Sequence, residues 1–168
     1  MKTLVIIDMQ KGTIEGSYHG CNYKSDKNWI NKYHQVIDNI FKISKRYEKI
    51  IFLVHKEGFR NPSRWEIVDK LEEVSRNHKI IYKYQDDGFS AIKEYLTSDV
   101  HFCGMNTDAC VIKTALSANK FHNVSVLQDC CYSVYATDNN PYGERFNEGH
   151  NKALKQMKNS GIDLLTVS

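Results

Sequence analysis

Long hydrophobic runs are missing from this chain of 168 residues. The apolar stretch Leu4 to Ile7 ends at Asp8, too short for a signal peptide or a membrane span, so no membrane partner is expected. Proline is scarce, with Pro62 and Pro141 the only two, which excludes a Pro-rich linker. Basic clustering is also lacking. The 23 Lys and Arg are dispersed among 20 Asp and Glu, for a net charge of +3, which argues against a nucleic-acid partner because such sites gather their cations in a patch. Gly12, Gly16 and Gly20 do not make a G-x-G-x-x-G, and no Walker A sequence occurs, so no glycine loop suggests a nucleotide cofactor. The five cysteines are odd in number and form neither a disulfide nor a zinc framework. Reduced thiols and a cytoplasmic location are the expectation. Composition is otherwise that of an ordinary globular chain, and 168 residues suit one domain with a single core.

What is present is an alternation of short β-branched runs and longer helical periods. Thr3 to Asp8 reads as a strand apolar on both faces, as in a central parallel position. A polar loop is expected over Lys11–Lys27. Ile30, Tyr33, Ile37, Ile40, Phe41, Ser44 and Tyr47 then recur at helical spacing. Further strands are predicted at Ile50–Val54, Lys79–Tyr84, Val100–Cys103, Val124–Leu127 and Leu164–Val167. Trp65, Val68, Leu71 and Val74 mark a helix, and others are predicted at Phe89–Leu96, Thr107–Asn119 and Gly143–Asn159. Strands separated by helices imply βαβ units, a parallel sheet and helices on both faces. Chemistry then gathers at the carboxyl ends of the strands, where Asp8, His55, Lys83, the segment Gly104 to Cys110, and Asp129 fall.

Cys110 follows the fourth strand in Gly104-Met105-Asn106-Thr107-Asp108-Ala109-Cys110-Val111. With Thr107 as N-cap, it lies in the first helical turn, where the helix dipole and free N–H groups favour a thiolate and can bind an oxyanion. Taken alone, Cys110 could as well be a buried structural cysteine. Asp8 ends an apolar strand at the sheet rim, where desolvation would raise its pKa and suit it to accept a thiol proton; a turn-capping role is the alternative. Lys83 closes an apolar strand and would hold a carboxylate and a thiolate by charge, unless it merely snorkels to solvent. Together the three make an activated nucleophile. If Asp8 draws the thiol proton, Asp8→Asn should slow iodoacetamide labelling of Cys110. Gln10, Phe59 and Trp65 are candidate substrate contacts, with loop-backbone satisfaction and core packing as the competing readings.

Leu4-Val5-Ile6-Ile7-Asp8-Met9-Gln10 resembles the opening motif of the isochorismatase-like cysteine hydrolases. Cys103 to Ala115 is similar to that family's nucleophile segment. Lys83 with Gly88-Phe89-Ser90-Ala91 resembles its lysine motif, at a spacing longer than usual. The resemblance covers nearly the whole chain, as a single domain over residues 1–168. It implies a three-layer, Rossmann-like α/β fold with a six-stranded parallel sheet of order 3-2-1-4-5-6, with Asp8 and Cys110 flanking the switch point. It also implies a non-prolyl cis bond at Met105–Asn106 that turns the Asn106 N–H into the site, and an oxyanion hole from the backbone of Asn106 and Cys110. Members with the cysteine hydrolyse C–N bonds of amides or ureido compounds, so a small-molecule substrate and a homo-oligomer, dimer or tetramer, are expected.

Nicotinamidases of this family bind a metal through an Asp-x-His stretch after the second strand. Here that place reads His55-Lys56-Glu57, so no metal and no other cofactor are expected. A non-catalytic small-molecule-binding or assembly subunit is the alternative function. A thiol redox protein pairing Cys110 with Cys103 or the Cys130-Cys131 pair is a third. The Lys11–Lys27 loop, or a neighbouring subunit, is expected to govern access.

Overall fold

A computed structural model describes residues 1–15, 27–56, 61–133 and 144–167. Its strands are β1 (Lys2–Ile7), β2 (Lys49–His55), β3 (Lys79–Lys83), β4 (Asp99–Met105), β5 (Asn123–Tyr132) and β6 (Asp163–Leu165). They form one parallel sheet in the order β3-β2-β1-β4-β5-β6, as the family resemblance implied. The helices are α1 (Lys11–Glu15), α2 (Lys27–Ser44), α3 (Asp69–Ser75), α4 (Phe89–Ile92), α5 (Ile112–Ala118) and α6 (Glu144–Asn159). Helix α2 packs on β4, β5 and α3, whereas α4, α5 and α6 pack on one another and on β3, β5 and β6. The sheet is thus the middle of three layers.

The central strand explains itself. Leu4, Val5, Ile6 and Ile7 of β1 are all wholly buried, because helices cover both faces and no alternation with polar residues is tolerated. Burying each such side chain contributes about 1.5–3 kcal/mol. The edge strand β3 differs, leaving Ile80 and Tyr82 exposed. Lys56 places its ammonium over the rings of Trp65 and Tyr82, at 4.4 and 3.7 Å from their centroids.

Three local departures from the expected elements have physical causes. The loop after β1 opens with α1, which Lys11 ties back to Glu66 and Asp69 by ion pairs of 2.8 and 3.1 Å. Strand β5 runs on to Tyr132, past the polar Gln128 and Asp129, by means of a bulge. Phe102 pairs with Val126 but Gly104 with Cys131, so the single residue Cys103 of β4 lies opposite four of β5, Leu127 to Cys130. The Cys131 thiol donates to Leu127 O at 3.3 Å inside that bulge. Finally, the segment Thr107–Val111 is a π-helical turn ahead of α5, with Asn106 and not Thr107 at its N-cap position and no side-chain cap hydrogen bond. The Thr107 hydroxyl is instead engaged by His150 Nδ1 of α6, at 2.8 Å. Among the described residues, no helix is long and apolar enough to cross a membrane.

Candidate active site

Strand order reverses between β1 and β4, and the crevice beyond their carboxyl ends is where Asp8 and Cys110 meet. Ile7 and Gly104 are register partners there. Gly104 has φ +114°, and a Cβ on it would lie 2.1 Å from Ile7 O. Only glycine lets the two strands close at this point. Directly after Ile7, Asp8 takes φ +52°, a left-handed conformation that aspartate tolerates better than most residues. Its N–H donates to Leu53 O at 2.9 Å, and its carbonyl accepts from the Thr13 hydroxyl at 2.8 Å. The chain is thereby turned out of the sheet and the carboxylate fixed towards the crevice.

Lys83 lies on β3, two strand spacings, about 9–10 Å, from β1. A long side chain is needed to cross that gap. Its ammonium reaches Asp8 Oδ2 at 2.9 Å and Cys110 Sγ at 3.2 Å, and donates to Gln85 O at 3.1 Å. All three side chains are buried. The structure thus brings together the three residues that the sequence singled out. The lysine stem is held under Gly88, where a Cβ would come 2.8 Å from Lys83 Cδ and 2.4 Å from Leu53 Cδ2. Gly88→Ala is therefore expected to displace the ammonium, cutting kcat by about 10–100-fold, with only a small loss of melting temperature. An unchanged kcat would show that the stem relaxes without moving its charged end.

Burial dominates the electrostatics. It raises the Asp8 pKa against the opposing pull of Lys83 and Cys110. Burial works against the Lys83 ammonium, but the Asp8 charge and the hydrogen bonds to Asp8 and Cys110 outweigh it and raise its pKa. The Cys110 thiol is pushed well up, first by burial and then by the Asp8 charge, with Lys83 pulling the other way. This corrects the expectation of a thiolate favoured by a helix start. Desolvation and a neighbouring carboxylate outweigh whatever the helix end supplies, so the thiol rests as S–H. Asp8 Oδ1 is buried with no hydrogen-bond donor on it among the described residues, beside that thiol.

The remaining candidates lie elsewhere. Gln10 is buried with its amide engaged by backbone: Nε2 donates to His55 O at 2.8 Å and Arg64 O at 3.2 Å, and Oε1 accepts from His55 N at 2.9 Å. Trp65 ends a 3-10 turn, Pro62–Trp65, and walls a cavity of about 760 Å³ with Lys11, Ile67, His78, Ile80 and Tyr82. None of Asp8, Lys83 and Cys110 lines that cavity. Phe59 and much of the Lys11–Lys27 loop fall outside the described residues. The peptide bond Met105–Asn106 is cis, as the family resemblance implied. Cys103, Cys110, Cys130 and Cys131 are buried free thiols. Asp129 is structural, accepting from Val167 N at 3.0 Å and, through its carbonyl, from Asn39 at 2.8 Å.

One neighbour was missed in the sequence. Asp86 brings Oδ1 to 3.7 Å from Cys110 Sγ, and Lys113 holds its Oδ2 at 2.5 Å. The signal was there in the lengthened Lys83-to-Ser90 spacing, and in the placement of Lys113 three residues after Cys110, on the same helical face.

The Asp8 carboxylate, a His55 ring nitrogen and Cys110 Sγ all lie within 4.8 Å of one another. Lys83, however, already places an ammonium 2.9 Å from the first and 3.2 Å from the last. A divalent ion there would face that cation in a buried site and would engage the thiol as a ligand. The donor set does not fit a resident metal.

The chain matches the isochorismatase domain over residues 2–168 and belongs to that family. The structure is similar to that of the nicotinamidase from Staphylococcus aureus, with a TM-score of 0.71 at 22% identity over 99% of this chain and 98% of that one. It is also similar to an isochorismatase from Pseudomonas putida, with a TM-score of 0.76 at 16% identity over 98% and 87% of the two chains. The pyrazinamidase of Pyrococcus horikoshii, solved in complex with zinc, gives a TM-score of 0.70 at 20% identity, with 98% of both chains covered. No curated protein matches in sequence.

Proposed function

We propose that this protein is a cysteine hydrolase that cleaves a C–N bond of a small amide or ureido compound through a thioester. The observation that carries the reading is the Lys83 ammonium bridging Asp8 Oδ2 and Cys110 Sγ, at 2.9 and 3.2 Å, with all three side chains buried. Family membership among hydrolases, and the fold it shares with nicotinamidases, support it.

The resting site is an ion pair beside a neutral thiol. As Sγ attacks the carbonyl carbon, the thiol proton passes to Asp8, whose raised pKa lets it hold the proton. The new C–S bond leaves a tetrahedral oxyanion, which the backbone N–H groups of Asn106 and Cys110 bind. Asp8 returns the proton to the departing nitrogen as the C–N bond breaks, and the amine leaves. A water then attacks the thioester and gives a proton to Asp8. The C–S bond breaks, Cys110 recovers its proton, and the acid product is released. Lys83 keeps Asp8 aligned and lowers the energy of the sulfur anion as it forms.

An ammonia-release screen over a panel of amides and ureides tests this. Turnover of at least one compound is expected, with complete loss in Cys110→Ala. Ammonia released equally by the Ala variant would sink the mechanism. A panel without any turnover would favour a binding or assembly subunit.

A further inference from the structure

We propose that Asp86 is a specificity-determining residue. It accepts an N–H from the acyl side of the substrate, so the site takes amides whose acyl group carries an N–H donor or a positive charge beside the carbonyl, and turns away acyl groups bearing a carboxylate. This rests on the reading of Cys110 as nucleophile and Asp8 as proton carrier.

The loop between β3 and α4 carries two adjacent acids that do different work. Asp87 is consumed internally, with Oδ1 accepting from Phe89 N at 3.0 Å and Oδ2 from the Ser117 hydroxyl at 2.6 Å. Asp86 turns the other way. Lys113 of α5 grips Oδ2 at 2.5 Å, and Oδ1 accepts from the Cys110 thiol at 3.7 Å, a bond that an N–H of a bound acyl group would replace. The loop backbone is pinned to the same helix: the Thr114 hydroxyl donates to Asp86 O at 3.4 Å and accepts from Gly88 N at 3.0 Å. Cys110, Lys113 and Thr114 therefore set the thiol and this carboxylate as one unit. Lys113, through its hydrogen bond, also holds the Asp86 pKa below its ordinary value, so the group is ionised at neutral pH.

Geometry assigns the partner. The Asp86 side chain is 35% exposed and the Asp8 side chain 8% exposed, so one stands at the rim and the other in the floor. A carbon bonded to Sγ carries an oxyanion, the leaving nitrogen and the acyl group. The oxyanion cannot face a carboxylate. The leaving nitrogen must lie within reach of Asp8, which returns its proton. Only the acyl group remains for Asp86, and an ionised acceptor there is matched by N–H or positive charge.

The test uses charge-matched thiol reagents, so it does not depend on finding a substrate. Cys110 is modified with a cationic methanethiosulfonate (2-aminoethyl) and an anionic one (2-sulfonatoethyl), and the rates are read by mass spectrometry. Asp86→Asn should lower the cation-to-anion rate ratio by about tenfold, Asp86→Glu should restore it, and the neutral reagent iodoacetamide should react at a similar rate throughout. A ratio unmoved by Asp86→Asn overturns the proposal. On any amide the screen yields, Asp86→Asn should raise KM for acyl groups with an N–H donor far more than it lowers kcat. An equal effect on acyl groups without such a donor would also overturn it. If no amide is turned over, the hydrolase reading fails, while the reagent ratio still reports whether Asp86 sets the charge at the thiol.

Discussion

Replacing Asp8 by Asn is expected to cut amide turnover by about 10²–10⁴-fold while leaving Cys110 at least as reactive towards iodoacetamide as in the parent. The two effects separate because Asp8 does two opposed things. As the proton carrier of the proposed mechanism it would be needed twice in each half of the cycle, and Asn cannot take a proton. As a charge it raises the thiol pKa, along with burial, against the pull of Lys83. Removing the charge leaves Lys83 as the ion nearest the sulfur, at 3.2 Å, and favours the thiolate. Sequence reasoning gives the reverse sign for labelling, because it treats Asp8 purely as a base. The measurement is a paired one, of steady-state ammonia release and of alkylation rate between pH 6 and 9. Labelling that slows in proportion to turnover would mean that Asp8 acts by creating the thiolate at rest.

Gly104→Ala is expected to destabilise the fold by roughly 2–5 kcal/mol, the sum of a disfavoured left-handed backbone and overpacking. Glycine alone is at ease at φ +114°, and the added Cβ would meet Ile7 O at 2.1 Å and Ile7 N at 2.8 Å. Those are backbone atoms of the central strand and cannot swing aside as a side chain would. Relief requires β1 and β4 to part at the register pair that precedes Asp8. Urea unfolding measures the loss. A change below about 1 kcal/mol would show that the two strands separate freely there. The same variant should lose activity even where it remains folded, because Asp8 follows the displaced residue.

The sheet was legible in the sequence because its central strands leave no face to water. Leu4 to Ile7 and Ile50 to Val54 are apolar without alternation, and both runs are buried in the structure. The positions of Asp8, Lys83 and Cys110 followed from the rule that chemistry collects where strands end. The strand order came with the family resemblance. What could not be read were features set by contacts between distant segments. Nothing local to Gln128 and Asp129 says that β5 continues through them, since that depends on a bulge against β4. Thr107 looks like a cap, and becomes instead a partner of His150 because α6 packs there. The protonated state of Cys110 depends on its burial, which a local motif does not encode. Asp86 was overlooked because its meaning depends on Lys113, a residue 27 positions away in sequence.

Lys83 is the last residue of β3, the strand at the sheet's edge. Asp8 and Cys110, by contrast, follow the two central strands. An edge strand has one neighbour in place of two, and it opens at lower free energy than the strands inside. The cation of the site is therefore tethered to an edge of the sheet, while its acid and its sulfur follow the strands at its centre. Partial opening would withdraw the ammonium and leave a carboxylate beside a neutral thiol, a pair with no means of supporting a sulfur anion. If the proposed hydrolysis depends on that ammonium, activity is expected to fall on warming at a lower temperature than the one at which the core unfolds.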